Sequence, residues 1–351
     1  MTTMTRPKSG PRSRTAAGRL VRASAFVAGA ALLAYILYGF GSATVWVDLR
    51  SIGWRLLAII ALEVLVNGIN ARAWWHTLPR QTRGGCFSRV ILLQLAGGAL
   101  NETIPGAPLS GEPVKVLLLK ERFSLSVTTA SLLSAKLAQA VARLIFVLLG
   151  MLAASRSLKL DRLPVETLAV AFILAVAGVA VFMALQLRGF SGIARRASSR
   201  LSVLGTWVER FQHGLGRVDD HLQDLYRSRP WDFVASVLLA LAGLGVGVVQ
   251  IWLMMGWIGL APDWLSSLTI EAFSVLVSFV SFAIPGSLGI QEGGKVLIFA
   301  ALGLPVSAGV SVGVAFRLNN LANLAIGLAV FAWLRPHRIL RAARLAESGK
   351  Q

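Results

Sequence analysis

Apolar runs recur along this chain at lengths set by a bilayer. Stretches near 23–41, 53–71, 124–154, 165–187, 231–258 and 306–334 carry few charges. Each reaches or approaches the roughly 20 residues that a helix needs to cross the hydrocarbon layer. Six full transmembrane helices are therefore predicted. Two further apolar regions, 86–120 and 264–302, are broken in the middle. The first contains "NETIPGAPLSGEPVKVLLL" at 101–119 and the second "IPGSLGIQEGGKVLI" at 284–298, so each places Ile-Pro-Gly, a glutamate and a lysine where the pattern should continue. Proline removes a backbone donor and glycine admits unusual torsions, so Pro105, Gly106, Pro285 and Gly286 are predicted hairpin turns. Non-helical backbone at membrane depth is tolerated only where protein or water surrounds it.

The basic residues set the sidedness. With a cytoplasmic N-terminus and both broken regions entering and leaving on one side, 25 of the 35 Lys and Arg fall on the inside and five outside. Making the first broken region a single crossing would move the arginine-rich loop 188–230 outside, against the positive-inside rule. A hairpin of two full crossings gives the same sidedness and stays open. Residues 1–22 are read as a basic cytoplasmic N-terminus before a retained first span, whose apolar run is long for a cleaved signal. Residues 336–351 are read as a basic cytoplasmic tail. Loop 188–230 contains "WVERFQHGLGRVDDHLQDLY" and is predicted to form an amphipathic helix on an anionic leaflet.

Residues 104–118 and 284–298 align at an offset of 180 with seven identities in fifteen positions: Ile, Pro and Gly at the turn, then Glu112/Glu292, Lys115/Lys295 and the Val-Leu that follows. Chance gives about one, so this is internal self-similarity. Downstream, Lys136-Leu137-Ala138-Gln139 faces Arg317-Leu318-Asn319-Asn320 at an offset of 181. Each unit reads as span, broken hairpin, span. Repeat 1 covers about 51–155 and repeat 2 about 231–335, with the span 165–187 joining them inside one membrane domain, 23–335. Three crossings separate corresponding points, so the second copy is predicted upside down. The expected fold is an all-α polytopic membrane protein, about six full helices plus two re-entrant hairpins in an inverted repeat, an arrangement transporters use to hold a site near the midplane.

Composition adds limits. Hydrophobic residues make up 55% of the chain and charged ones 15%. The net charge of +19 sits largely at span ends, so it is read as a topology signal and nucleic acid is not an expected partner. The single cysteine, Cys86, rules out an intramolecular disulfide, and His76, His213, His221 and His337 lack metal-ligand spacing. No metal and no cofactor is expected.

The charges inside the membrane carry the candidate chemistry. Glu112 and Lys115, like Glu292 and Lys295, stand three apart and share a helical face. One reading makes each pair a local ion pair; the other points them at a ligand. A charge at a helix centre costs about 2.5–3.5 kcal/mol on insertion scales, and such residues usually face a cavity or pathway. Lys136, Arg143 and Arg317 add cations, so the set favours an anionic ligand, with forked donors from the arginines suiting phosphate. Gln139, Asn320, Asn101, Asn319 and Asn323 are polar neighbours that coordinate a ligand or join helices. Glu63 and Glu271 read equally as helix–helix hydrogen bonders or proton carriers.

"NETIPGAPLSGEPVKVLLLKE" with "SAKLAQAVAR", and "IPGSLGIQEGGKVLIFAALGLP" with "FRLNNLANLAIG", resemble the lysylphosphatidylglycerol synthase transmembrane (flippase-like) family over roughly residues 25–335. The second signature is similar to a subgroup associated with hopanoid biosynthesis. The resemblance implies lipid handling in a bacterial cytoplasmic membrane, with an anionic phospholipid or an isoprenoid or hopanoid-type lipid as partner. It also singles out Glu112, Lys115, Gln291, Glu292 and Arg317. A soluble catalytic domain follows the membrane region in the synthases; this chain stops at Gln351, so synthase activity is not expected. The expected function is a lipid flippase or transporter, not an enzyme. An intramembrane lipid-modifying enzyme and a non-catalytic partner delivering lipid to a biosynthetic enzyme are the alternatives.

Overall fold

The structure, a computed structural model of the chain, describes residues 42–81, 83–103, 110–120, 122–157, 165–189, 216–261, 263–281 and 290–334. The first expected span at 23–41, the basic ends, the turn residues Pro105, Gly106, Pro285 and Gly286, and much of loop 188–230 lie outside the described residues. Everything with regular structure among the described residues is helical. Helix α1 (Ser42–Ile52) runs through a short 3-10 turn into α2 (Leu56–Thr77). Then come α3 (Phe87–Thr103), α4 (Gly111–Leu119), α5 (Leu125–Ser157), α6 (Val165–Arg188), a helical stretch at 216–228, α7 (Pro230–Trp257), α8 (Trp264–Ser281), α9 (Ile290–Ala301) and α10 (Val306–Trp333).

Four of these stretches, Val45–Thr77, Leu125–Ser155, Pro230–Trp257 and Val306–Trp333, are long and apolar enough to cross a membrane. Three of them match the expected spans 124–154, 231–258 and 306–334 to within a residue, Val45–Thr77 contains the expected 53–71 and extends past both its ends, and α6 overlays 165–187. The broken regions resolve into the pairs α3–α4 and α8–α9. Their bounds have local causes. Pro230 opens α7, where its missing N–H costs nothing. Gly259 and Gly303 adopt positive φ just past α7 and α9, and the next N–H reaches back five residues, Leu260 to Met255 O and Leu304 to Phe299 O. This is the left-handed stop that glycine alone makes without strain.

The order α2-α3-α4-α5 recurs as α7-α8-α9-α10. The leading helices of the two units run antiparallel. Near one end His76 of α2 and Arg80, just past it, meet Asp232 of α7, and near the other Gln250 Nε2 of α7 donates to Ile59 O of α2. The units interlock, with α3 against α10 and α8 against α5. Small residues set both crossings: a Cβ at Gly327 would collide with Leu95 O and Ala99 of α3, and one at Gly150 with Ala272 of α8.

Packing divides into two main apolar clusters. One joins Ile59, Ile251, Met254, Phe273, Phe299 and Val312 across α2 and α7–α10. The other gathers Trp74, Leu78, Leu93, Leu118, Leu119 and Leu132 at the base of the first hairpin. There Trp74 Nε1 donates to Ser131 Oγ, and Thr77 Oγ1 to Ser131 O, fastening α2 to α5. Within 216–228, Val218 and Leu222 bury their side chains against Ala130 and Leu133. The apolar face of this part of the amphipathic segment thus rests on protein. Exposed leucines and isoleucines on α5 and α6, among them Ile145, Leu148, Leu152, Ile173 and Leu174, supply a greasy outer surface.

Candidate functional site

The first hairpin brings Glu112, Lys115 and Lys136 together. Helices α3 and α4 lie antiparallel and very close: a Cβ on Gly111 would overlap the Gly97 carbonyl, and one on Gly97 would overlap the Lys115 side chain. Only two glycines permit this approach, and it buries Lys115 to 1% exposure. The Lys115 ammonium donates to Gln94 Oε1 (3.1 Å) of α3 and to Glu112 Oε1 (3.3 Å). The same carboxylate oxygen pairs with Lys136 Nζ of α5 at 2.8 Å and accepts from Asn101 Nδ2 at 3.1 Å. Asn101 uses its other amide atom to accept from the Gly111 N–H (2.7 Å). One oxygen of Glu112 therefore serves three donors. Its second oxygen, Oε2, is buried and meets no donor among the described residues.

The second hairpin repeats the plan with changed chemistry. Glu292, 2% exposed, pairs with Arg317 of α10, whose Nε lies 2.7 Å and Nη2 2.6 Å from Oε1. Lys295 Nζ turns to Ser274 Oγ of α8 (3.5 Å) and sits 4.6 Å from the Phe316 ring centre. Lys115–Gln94 and Lys295–Ser274 are the same contact at the 180-residue offset. Glu112–Lys136 and Glu292–Arg317 are the same contact at the offset of the following helix. In the first copy the i,i+3 ion pair forms; in the second the glutamate takes the arginine and the lysine leans on an aromatic ring, a favourable cation–π geometry.

A polar seam extends from the second trio. Glu271 of α8 lies in the field of Lys295 and Glu63, and Gly247 of α7 makes room for it, since a Cβ there would stand 2.6 Å from Glu271 Oε1. Glu63 Oε2 accepts from Gln250 Nε2 at 3.3 Å. Glu63 also lines a cavity of about 140 Å³ between α2, α3 and α10, together with Asn67, Glu102, Asn320 and Asn323. Asn320 thus belongs to this cavity. Gln291 is half-buried beside Glu292. Lys136, Gln139 and Arg143 share one face of α5, and exposure rises along it: the Lys136 side chain is 32% exposed, Gln139 half-buried and Arg143 exposed.

Sequence reading missed Gln94, Ser274 and Gln250 as partners of the buried charges. It also missed a cluster at the end of α2, where Arg80, Arg83, Arg229 and His76 converge on Asp232. The 180-residue offset was the signal for Gln94 and Ser274, but the residues differ in type and an identity alignment passes over them.

A family model described as the lysylphosphatidylglycerol synthase TM region matches residues 21–334. Comparison with curated proteins and with solved structures gives no match. The matched span includes both hairpins, both buried trios and every helix described above, and on that coverage the chain belongs to the lysylphosphatidylglycerol synthase transmembrane family.

Proposed function

We propose that this protein moves a lipid across the membrane by passing its headgroup through the polar layer between two inverted re-entrant hairpins, without chemically altering the lipid. The observation that carries this reading is the pair of buried trios, Glu112–Lys115–Lys136 and Glu292–Lys295–Arg317, related by the repeat. In both copies the third member of the set is drawn from the following helix. Each trio holds two cations and one carboxylate, a surplus that suits an anionic headgroup. Lys136 is the natural first contact, because its exposed side adjoins the Gln139–Arg143 stripe on α5. A phosphate oxygen competing for Lys136 leaves Glu112 held by Lys115 and Asn101, so the site opens without stranding a charge. Glu112 Oε2 offers an acceptor for a hydroxyl on the ligand.

Helix lengths support the re-entrant reading. At 1.5 Å per residue α4 is about 14 Å long and the described part of α9 about 18 Å, against a ~30 Å hydrocarbon layer. The antiparallel α2–α7 pair supports inversion, and rocking of one unit against the other is the expected means of alternating exposure. The end carrying Arg72, Arg80, Arg83, Arg89, Lys120, Arg122 and Arg229 is assigned to the cytoplasm by the positive-inside rule, which puts both termini there in a bacterial inner membrane.

The test is transbilayer movement of fluorescent phosphatidylglycerol in proteoliposomes containing only this protein. Lys136→Gln and Arg317→Gln are each expected to slow movement at least ~10-fold, the loss of one charge-assisted contact. Equal rates in wild type, variants and empty vesicles would overturn translocation, and a chemically changed lipid in the same vesicles would establish an enzyme instead.

A further inference from the structure

The end of α2 carries more positive charge than its one buried carboxylate can balance. Asp232, at the start of α7, takes Arg80 Nε at 3.0 Å, Arg83 Nη1 at 3.5 Å and Arg229 Nη1 at 3.8 Å, with His76 Nδ1 at 3.5 Å. Part of this is structural. Arg83 also donates to His76 O and Arg229 to Leu78 O, which ties the loop after α2 to α7. Arg72 is different. Its guanidinium carbon stands 4.0 Å from the Trp75 ring centre and 5.3 Å from that of Phe87, and among the described residues it meets no carboxylate. Arg83 packs on the same Trp75 ring at 4.3 Å, so two like charges share one indole. The ring offers Arg72 an electrostatic contact but no acceptor for its N–H groups.

Depth identifies the missing partner. Arg72 lies five residues before the end of α2, about 7.5 Å along the helix axis, and Trp75 belongs to the residue type enriched at the membrane–water boundary. Arg80 is 58% exposed beside them. Basic pockets between helices at this boundary suit lipid headgroups, and a guanidinium fork matches two phosphate oxygens.

We infer that Arg72 and Arg83, held on Trp75 and supported by Arg80, form an interfacial binding site for the phosphodiester of an anionic phospholipid. The site is separate from the buried trios and does not depend on the translocation reading. It lies at the foot of the first hairpin, beside the point where α3 begins at Phe87. A bound phosphate joins α2, through Arg72, to the loop that follows it, through Arg83.

The test uses the full chain purified in neutral detergent, with phosphatidylglycerol, phosphatidylcholine and inorganic phosphate as separate probes. Retained lipid is counted by native mass spectrometry, and thermal unfolding is followed in parallel. Phosphatidylglycerol is expected to bind and raise the unfolding temperature, with affinity falling as salt rises. Arg72→Gln, which breaks no ion pair and so should fold, is expected to weaken phosphatidylglycerol binding about 10-fold, and Arg72→Lys less, since it keeps charge but loses the fork. Displacement of the lipid by millimolar phosphate would support the site and show that the phosphate group alone suffices. Resistance to phosphate, with Arg72→Gln still weakened, would support it and show that the whole headgroup is read. Equal binding of phosphatidylcholine, or unchanged phosphatidylglycerol binding in Arg72→Gln, would overturn it.

Discussion

Replacing Glu112 by Gln is expected to destabilise the protein by about 3 kcal/mol. The substitution keeps shape and removes one negative charge from a point where two ammonium groups converge, Lys136 at 2.8 Å and Lys115 at 3.3 Å. Removing one partner of a buried pair costs about 3–5 kcal/mol, because the other charge stays behind uncompensated. Lys115 cannot relieve that penalty by reaching solvent: it is 1% exposed, and its remaining partner Gln94 is neutral. Lys136 can, because part of its side chain reaches the accessible face of α5, which puts the expected value at the lower end of the range. Lys136→Gln should cost less, about 1–2 kcal/mol, since the Glu112–Lys115 pair survives it. Reversible unfolding in mixed micelles, followed by tryptophan emission, measures both variants and the double variant. A coupling energy above ~0.5 kcal/mol between positions 112 and 136 is expected for groups in direct contact. The reasoning fails if Glu112→Gln unfolds within ~0.5 kcal/mol of wild type, the range of a surface substitution.

Other positions give independent checks. Gly111→Ala places a methyl group against the Gly97 backbone, so α3 and α4 must separate; overpacking of this kind costs about 1–3 kcal/mol in the same unfolding assay. Gln250→Leu removes the α7 donor to Glu63 and Ile59 O and is expected to cost about 0.6–1.7 kcal/mol, the range for helix–helix hydrogen bonds in membranes. Cys86 is fully buried before α3, and burial pushes its thiol above the ordinary cysteine range. A raised value leaves less thiolate at neutral pH, so maleimide should label Cys86 slowly in the folded protein and readily after denaturation. Equal rates in the two states would contradict the packing around it.

Much of the architecture was legible because the bilayer enforces it. Span length and charge-poor composition located α2, α5, α6, α7 and α10, and the Pro-Gly interruptions located the helix pairs α3–α4 and α8–α9. The recurring Glu, Lys and downstream cation pointed to both trios, since identical chemistry at a fixed offset is visible in a one-dimensional comparison. The partners that differ between copies were not visible. Gln94 and Ser274 occupy corresponding positions and receive corresponding lysines, yet one is an amide and the other a hydroxyl. The choice of Arg317 over Lys295 by Glu292 depends on side-chain reach across two helices, which spacing along one helix does not contain. The Asp232 cluster joins residues about 150 positions apart, and its basic members read in sequence only as a topology signal.

The central claim is that the buried trios meet a lipid headgroup, and it is tested most directly by where a headgroup touches the protein. A phosphatidylglycerol analogue carrying a photoreactive group on its glycerol headgroup, activated in proteoliposomes, should crosslink to the segment of α5 around Lys136–Arg143 and to α10 around Arg317. Lys136→Gln and Arg317→Gln should each reduce the crosslink on their own helix. Crosslinks confined to the greasy outer faces of α5 and α6, unchanged by either substitution, would contradict the account.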